Sequence, residues 1–347
     1  MTGTPSAWQL LAPVIDLVTP LAVRAAASLG VADHLADGPV PVGELARRCE
    51  ADPDALDRLL RHLVCHGVFT EPSPGTFGTN ELASLLRSDH PSGMRVGLDL
   101  AGFGGQMDLA FTGLLHTLRT GGPAWETVFG TPFWEYLAAN PAMGASFDAT
   151  MAAGTDYAAD LAAGYDWSGA RHVVDVGGGT GELLAAVLAA HPGLRGTLVD
   201  LPETVRRGRD HLAARGLGDR CDVAGQSFFD PLPAGGDVYV LSSVLHDWAD
   251  QDATKILRRC AEAAGHDGRV LLTQEHGTEG ADRAEMDLRM LVLCGGRERG
   301  LDDYTTLAAE AGLTVAAVHT TPLGQVLIEC APIPRPSDRP APRTHLS

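Results

Sequence analysis

The feature that most constrains the fold is a glycine-rich turn between an apolar strand and an apolar helix. The stretch VVDVGGGTGELL occupies residues 173–184 and places Gly177, Gly179 and Gly181 at alternate positions. Glycine lets the backbone turn sharply and approach a ligand closely, and the first amides of the next helix remain free to bind that ligand. A strand, a glycine turn and a helix in this order predict a nucleoside-binding site at the edge of a parallel sheet.

Strands and helices alternate throughout the second half of the chain. After the glycine turn a helix is predicted over ELLAAVLAAH, and further strands are predicted within GTLVDLP, DVYVLSSVLHDW and GRVLLTQEH. This alternation predicts a parallel, doubly wound, Rossmann-like α/β sheet. The segments LTVAAVHT and GQVLIECAP are predicted to close the sheet with an edge hairpin.

The N-terminal region follows a helical pattern instead. One helix is predicted to end before Gly30, and Asp52 with Pro53 is expected to open another. The residues FTEPSPGTFGTN then indicate two short strands around a turn, so helices followed by a hairpin predict a winged-helix-like unit. Apolar residues recur at helical spacing at Leu17, Leu21, Ala25 and Leu29 in the first helix and at Leu56, Leu59, Leu60 and Leu63 in the second.

Four segments follow from these patterns. We predict a winged-helix-like domain over 1–90, a helical linker and substrate-pocket region over 91–165, and a cofactor-binding domain over 166–331. The remaining residues, 332–347, are rich in proline and polar side chains. This tail is predicted to be disordered, because it cannot bury enough apolar area to offset the entropy lost on ordering.

Two carboxylates are placed to hold a nucleoside cofactor. Asp200 ends the second strand of the sheet, 19 residues after Gly181, where a carboxylate can accept both ribose hydroxyls. NAD-binding folds share this pattern, so the cofactor is decided by other features. Asp175 lies two residues before the first glycine, where it would repel a pyrophosphate but tolerate the ammonium group of S-adenosylmethionine. The position of the nucleotide unit behind a long helical region also favours S-adenosylmethionine.

A histidine follows a buried strand at the same predicted edge. His246 lies in VLSSVLHDWAD, residues 240–250, after a strand whose carboxyl end should face the ligand. A histidine at that position is a candidate general base, since its imidazole titrates near neutral pH.

Charge and cysteine usage exclude several classes of protein. The formal net charge is −18 and no local basic patch is visible, so a nucleic-acid partner is not expected. The six cysteines show no metal-type spacing, which favours free thiols, no metal site and a cytoplasmic location. The most apolar early stretch, residues 10–32, contains Asp16 and Arg24 and is not expected to span a membrane.

Taken in order, several motifs resemble one enzyme family. The motifs are VVDVGGGTG, LVDLP, GQSFFDPLP, LSSVLHDW, MDLRMLVLCGG and LAAEAGL. They are similar to those of the plant-type (class II) small-molecule O-methyltransferases, and most of all to the actinobacterial branch that tailors polyketides and other aromatic natural products. The resemblance covers roughly residues 15–330. It implies an S-adenosylmethionine-dependent enzyme, a homodimer held by the winged-helix-like domain, and a small aromatic hydroxylated substrate.

The resemblance also assigns roles to particular residues. His246 is implied to be the base, with Glu275 and Glu298 as the acids that orient it. Gln226 and Ser227 replace the Gly-Asp pair of many relatives, so the serine would bind adenine more weakly than a carboxylate. Cofactor contacts are implied for Met151 near the sulfonium, Asp175, Gly177 and Gly179 at the methionine portion, Asp200 at the ribose, Leu201, Ser227 and Phe228 around the adenine, and Ser242 at the cofactor backbone.

Large apolar side chains are candidates for an acceptor pocket, and each of them can equally be a core residue. Three other functions remain as alternatives: a cofactor-binding relative redeployed for hydroxylation or decarboxylation, a DNA-binding regulator that uses the winged helix, and an NAD oxidoreductase. The predicted pocket residues are Met286, Met290, Phe133 and Trp134, with Phe111 and Trp125 as further candidates.

Overall fold

The computed structural model describes residues 6–153, 156–274 and 281–333, and the chain divides into two compact units. The first unit comprises Met1–Leu109 and Ala149–Gly154, and the second comprises Ala110–Asp148 and Thr155–Ser347. The fold is mixed α/β, as the sequence predicts.

The first unit is a set of short helices around a small antiparallel sheet. Its three strands, β1 (Val40–Pro41), β2 (Thr70–Ser73) and β3 (Thr76–Gly78), are ordered β1-β3-β2. The predicted hairpin is therefore present beside the helices. The helices are α1 (Ala7–Ile15), α2 (Val18–Ser28), α3 (Val31–His34), α4 (Val42–Arg48), α5 (Pro53–Cys65), α6 (Glu81–Ser84), α7 (Met94–Leu98) and α8 (Phe103–Ala110).

Helix α5 shows how the sequence sets local structure in this unit. The Asp52 side chain caps the helix by accepting a hydrogen bond from the Ala55 amide at 2.9 Å, and Pro53 fills the first turn. Of the predicted stripe, Leu56, Leu60 and Leu63 are buried in the core, whereas Leu59 is only partly buried against it. In α2 the buried residues are alanines instead, and Leu17 and Leu21 remain exposed.

The second unit is built on a seven-stranded sheet with the order β6-β5-β4-β7-β8-β10-β9. The five strands from β6 to β8 are parallel, and the antiparallel β9–β10 hairpin closes one edge, as predicted. The strands are β4 (His172–Val176), β5 (Arg195–Asp200), β6 (Cys221–Gly225), β7 (Val238–Ser242), β8 (Arg269–Gln274), β9 (Leu313–Thr320) and β10 (Val326–Pro332).

Helices cover both faces of this sheet. Alternate residues of β7 join opposite apolar layers: Tyr239 and Leu241 pack in one, and Val238 and Val240 in the other. A strand buried on both faces is typical of parallel sheets. The helices that follow residue 113 in the chain are α9 (Leu114–Thr120), α10 (Trp125–Phe129), α11 (Phe133–Ala139), α12 (Pro141–Ala152), α13 (Asp156–Ala163), α14 (Glu182–Ala190), α15 (Pro202–Ala214), α16 (Asp250–Ala264), α17 (Ala281–Cys294) and α18 (Leu301–Glu310), and α13 to α16 and α18 contribute to the two apolar layers on the sheet. Single 3₁₀ turns lie at Phe111–Gly113, Trp167–Gly169, Gly218–Arg220 and Leu245–Asp247.

This topology collects the carboxyl ends of β6, β5, β4 and β7 along one edge of the sheet, because neighbouring parallel strands end on the same side. The glycine turn, Asp200 and His246 all follow these ends. All six cysteines are free thiols. Among the described helices, none combines the length and apolarity needed to cross a membrane. The predicted tail lies outside the described residues from residue 334 onward.

Candidate active site

The glycine turn after β4 takes backbone conformations that favour glycine. Gly177, Gly179 and Gly181 have φ values of 71°, 59° and 86°. A Cβ on Gly177 would lie 2.8 Å from Val244 Cγ2, and a Cβ on Gly178 would collide with the Asp175 carboxylate. The backbone therefore passes closely over a buried acid, which only residues without a side chain permit.

Asp175 is a buried carboxylate, 1% exposed at the end of β4. Among the described residues neither of its oxygens has a hydrogen-bond partner. Burial and, to a smaller extent, the nearby Asp200 raise the pKa of this carboxyl to about 7, and the nearby Leu184 amide acts weakly in the opposite direction. An unsatisfied buried acid in a cofactor-binding edge is a site for a positively charged ligand group.

Asp200 is held by the backbone at the end of β5. One carboxylate oxygen accepts from the Gly179 amide at 2.9 Å, and the other accepts from the Leu201 amide at 2.7 Å. Burial raises the pKa of Asp200 to about 6, while these two amides lower it by stabilising the ionised form. The amides thus fix the carboxylate beside the glycine turn, where ribose hydroxyls can donate to it.

These groups fit S-adenosylmethionine. Asp175, which lacks a hydrogen-bond partner among the described residues, suits an ammonium group, and Asp200 suits the two ribose hydroxyls. The glycine turn has no side chains that would block the approach of a ligand to its backbone. Three further predicted contacts, Phe228, Ser242 and Ser227, lie on elements at the same edge of the sheet. Phe228 Cε1 is 3.5 Å from the Cβ position of Gly177, and Ser242 Oγ accepts from Thr273 Oγ1 at 2.8 Å. Ser227 follows the end of β6, and its Oγ accepts from the Phe229 amide at 3.2 Å.

His246 is joined to Glu298 across 52 residues of sequence. The distance from His246 Nδ1 to Glu298 Oε1 is 2.7 Å, and the Glu298 side chain is 3% exposed. A carboxylate can only accept, so Nδ1 carries the proton and Nε2 presents a lone pair. The strand end delivers this ring through a constrained turn, since Ser243 has a φ of 52°, which is uncommon for a residue other than glycine.

Asp247 is a second acid beside the imidazole that the sequence analysis did not select. Its Oδ1 lies 3.6 Å from His246 Nε2. The pKa of Asp247 is raised to about 6, mainly by burial; His246 acts to lower it and Glu298 acts to raise it. The ring therefore lies between two carboxylates, which stabilise its protonated form.

Arg299 is the other residue that sequence reasoning missed. Its guanidinium is fully buried and donates to the carbonyl oxygens of Leu245 at 2.6 Å and Trp248 at 2.7 Å, and to Asp250 Oδ1 at 2.7 Å. These three acceptors bracket His246 in the chain. The Arg297 amide donates to the His246 carbonyl at 2.8 Å. The segment that carries Glu298 thus holds both the imidazole ring of His246 and the loop around it. Only the burial of Arg299 in the folded chain reveals this role.

The predicted pocket residues lie on elements that pack around the His246 turn. Helix α17, which carries Met286 and Met290, packs against the Leu245–Asp247 turn and against α11. On α11, Phe133 is 6% exposed, and Trp134 stacks on Trp248 with ring centroids 5.8 Å apart and an interplanar angle of 10°. Within the described residues the indole N–H groups of both tryptophans lack a partner. These side chains are apolar and aromatic, and their role as an acceptor pocket stays a prediction.

Two of the predicted site residues lie outside the described part of the second unit. Glu275 lies outside the described residues, as does its neighbour His276. Met151 is 48% exposed, and it belongs to the first compact unit. Their assigned roles stay predictions.

Two family models match this chain, over separate ranges of residues. An O-methyltransferase domain matches residues 111–314, and an O-methyltransferase dimerisation domain matches residues 15–89. A 2,7-dihydroxy-5-methyl-1-naphthoate 7-O-methyltransferase of Streptomyces carzinostaticus is 48% identical over 89% of this chain and 93% of its own length.

Two further relatives bear on chemistry. Aclacinomycin 10-hydroxylase RdmB of Streptomyces purpurascens is 46% identical over 90% of this chain and 86% of its own length. The crystal structure of the O-methyltransferase NcsB1 from neocarzinostatin biosynthesis, in complex with S-adenosyl-L-homocysteine and 1,4-dihydroxy-2-naphthoic acid, has a TM-score of 0.85 and 46% identity. It covers 93% of this chain and 98% of that chain.

Proposed function

The chain belongs to the plant-type (class II) O-methyltransferase family, in its actinobacterial natural-product branch, and we propose that it methylates a phenolic hydroxyl of a small aromatic natural product. It is an S-adenosylmethionine-dependent enzyme and a homodimer. The observation that carries the proposal is the 2.7 Å contact between His246 and Glu298 at the sheet edge that also holds Asp175 and Asp200. Related enzymes named for hydroxylated naphthoates and phenazines support an aromatic acceptor.

Each part of the site has a defined task in this reaction. S-adenosylmethionine supplies an electrophilic methyl group on a positively charged sulfur. Asp200 would accept hydrogen bonds from the ribose hydroxyls, and Asp175 would lie beside the ammonium group of the methionine portion. The aromatic and methionine side chains of α11 and α17 exclude water and orient the acceptor, which supplies much of the rate acceleration.

The remaining task is removal of the acceptor proton. A phenol has a pKa of about 10 and is a poor nucleophile at neutral pH. Nε2 of His246 would take the phenol proton as the phenol oxygen bonds to the methyl carbon and S-adenosylhomocysteine leaves with the electrons of the broken carbon–sulfur bond. Glu298 and Asp247 would stabilise the imidazolium that forms. Glu298 also fixes the tautomer, since it accepts the Nδ1 proton. We propose the cytoplasm as the location, in keeping with six free thiols.

A hydroxylation is the second candidate, because one relative at 46% identity is named a hydroxylase. The contact between His246 and Glu298 favours methyl transfer, because that reaction needs a base to remove the proton of a weakly acidic hydroxyl. Product mass separates the two reactions.

The test is a panel of hydroxylated naphthoic acids, phenazines and benzoic acids incubated with the enzyme and S-adenosylmethionine. We expect at least one compound to gain the mass of one methyl group, with S-adenosylhomocysteine released in equal amount. A product that gains oxygen and no methyl would replace the proposal with the hydroxylase function.

Asp200→Ala should weaken cofactor binding strongly. The ribose would lose charge-assisted hydrogen bonds worth roughly 1.5–3 kcal/mol, which corresponds to about a 10- to 150-fold rise in Kd. Titration calorimetry with S-adenosylhomocysteine measures this change. The exposed Asp210 on α15 provides the matched control, since Asp210→Ala should leave Kd unchanged. Equal affinity in wild type and Asp200→Ala would remove Asp200 from the cofactor site.

The dimer should be held by apolar residues that a single chain leaves exposed. Val14, Leu17 and Val18 are 80%, 71% and 65% exposed, and together they form an apolar surface that a monomer would rarely expose to water. We expect the double variant Leu17→Glu, Val18→Glu to sediment as a monomer at micromolar concentration, while Val318→Glu, on β9, stays dimeric like the wild type. A dimeric double variant would place the interface elsewhere.

A further inference from the structure

An ion pair between α12 and α15 lies near the cofactor edge and has no part in the chemistry described above. Arg207 Nε donates to Asp148 Oδ2 at 2.7 Å, and Arg207 Nη2 lies 2.5 Å from the same oxygen. The Asp148 side chain is 6% exposed and that of Arg207 is 22% exposed. Charges this far from water are poorly screened, so they act on neighbouring groups more strongly than a surface pair does.

The packing of α15 places this pair next to the ribose-binding acid. The helix starts two residues after Asp200, and Gly208, which follows Arg207, packs against the glycine turn. A Cβ on Gly208 would lie 3.3 Å from the Thr180 carbonyl oxygen. After burial and the two amides, the charges that act on the pKa of Asp200 are Asp148, which raises it, and Arg207, which lowers it.

We propose that Arg207 is a positioning residue for the cofactor, serving as the fixed counter-charge that keeps Asp200 ionised, while Asp148 holds the guanidinium in place from α12. The inference rests on the proposed function, because it takes Asp200 as the acid that binds the ribose. Neither residue needs to touch the cofactor. Their effect reaches it through the charge of Asp200.

Within the described part of the chain, the groups that face Asp200 are Asp175 from β4, Asp148 from α12 and Arg207 from α15, together with the amides of Gly179 and Leu201. The pKa of Asp200 is raised, so the ionised form is lost as the pH falls through about 6. Loss of the Arg207 charge must move that transition to higher pH. Loss of the Asp148 charge must move it to lower pH, because a repelling carboxylate disappears and the guanidinium is freed.

The experiment is calorimetric binding of S-adenosylhomocysteine to the full-length protein from pH 5 to pH 8. We expect wild-type affinity to fall as the pH drops through about 6. Arg207→Met should raise the midpoint of this transition by a measurable amount, and Asp148→Asn should lower it. Asp175, whose pKa is about 7, titrates in the same range, and because Asp200 raises its pKa the two carboxyls are fitted together as a coupled pair.

Two further variants separate charge from structure. Arg207→Lys retains the charge and should keep the wild-type midpoint. Arg206→Met removes a neighbouring cation that is 60% exposed and should also keep it. If the ion pair were only structural, Arg207→Met and Asp148→Asn would weaken binding of S-adenosylhomocysteine equally at every pH. That result would overturn this inference and leave the proposed function standing. A wild type that binds no S-adenosylhomocysteine would overturn the proposed function and the inference with it.

Discussion

His246→Ala should lower kcat for methyl transfer by roughly 10²–10⁴ at neutral pH, the usual range for loss of a general base. The ring is positioned for this task by Glu298 at 2.7 Å, and its Nε2 is left as the proton acceptor. The Kd for S-adenosylhomocysteine should barely change, because the imidazole serves the acceptor and not the cofactor. Rates measured with an identified acceptor, together with calorimetry, test both statements.

Raising the pH toward the pKa of the acceptor should partly restore the His246→Ala rate, since an ionised phenolate needs no base. Glu298→Gln should show a smaller loss, because the amide still contacts the ring but no longer stabilises its charge. His266→Ala is the matched control; that ring is 61% exposed and should not affect turnover. Wild-type turnover in His246→Ala at pH 7 would show that the histidine is structural.

Asp175→Asn should stabilise the cofactor-free enzyme at pH 8 and weaken cofactor binding at the same time. The folded-state pKa is raised to about 7, mainly by burial, whereas the unfolded value is 3.8. When the pKa of an acid is higher in the folded state than in the unfolded state, the acid contributes fully to the free energy of unfolding at a pH below its unfolded-state pKa. This contribution is lost as the pH rises through the folded-state pKa. At pH 8 the buried, ionised carboxylate therefore costs on the order of 2–4 kcal/mol, which a neutral amide largely avoids.

Urea denaturation at pH 5 and pH 8 measures the first effect, and calorimetry with S-adenosylhomocysteine measures the second. We expect a higher free energy of unfolding for Asp175→Asn at pH 8, with a smaller difference at pH 5. Asp222→Asn, at a carboxylate that is 73% exposed, should change neither quantity. A less stable Asp175→Asn protein at pH 8 would mean that the carboxylate is satisfied in the folded state.

The sequence correctly predicts that the glycine turn, Asp175 and Asp200 lie at one edge of the sheet, because the signals for these residues are local. A glycine turn between a strand and a helix, and an acid at the end of the next strand, are set by neighbouring residues and by the parallel order of the sheet. Asp175, Asp200 and the turn consequently lie together as the pattern indicates. The edge hairpin of β9 and β10 follows from local patterning in the same way.

The acceptor side depends on contacts between distant segments, and periodicity does not encode these. Glu298 was selected from the family resemblance alone, and Asp247 and Arg299 were not selected at all. Arg299 contacts the His246 loop in the folded chain, although α16, β8 and α17 separate the two in the sequence. The pairing of Arg207 with Asp148 depends equally on how α12 lies against α15. Charged residues that end up buried reveal themselves only in the folded chain.

The most direct measurement is a single turnover with S-adenosylmethionine labelled in the transferred methyl group, in the presence of a hydroxylated aromatic acceptor. We predict that the label appears on the acceptor oxygen, that one S-adenosylhomocysteine forms for each labelled product, and that His246→Ala gives almost no labelled product over the same time. Conversion of the acceptor without the label, or equal labelling by His246→Ala at neutral pH, would contradict base-assisted methyl transfer by this enzyme.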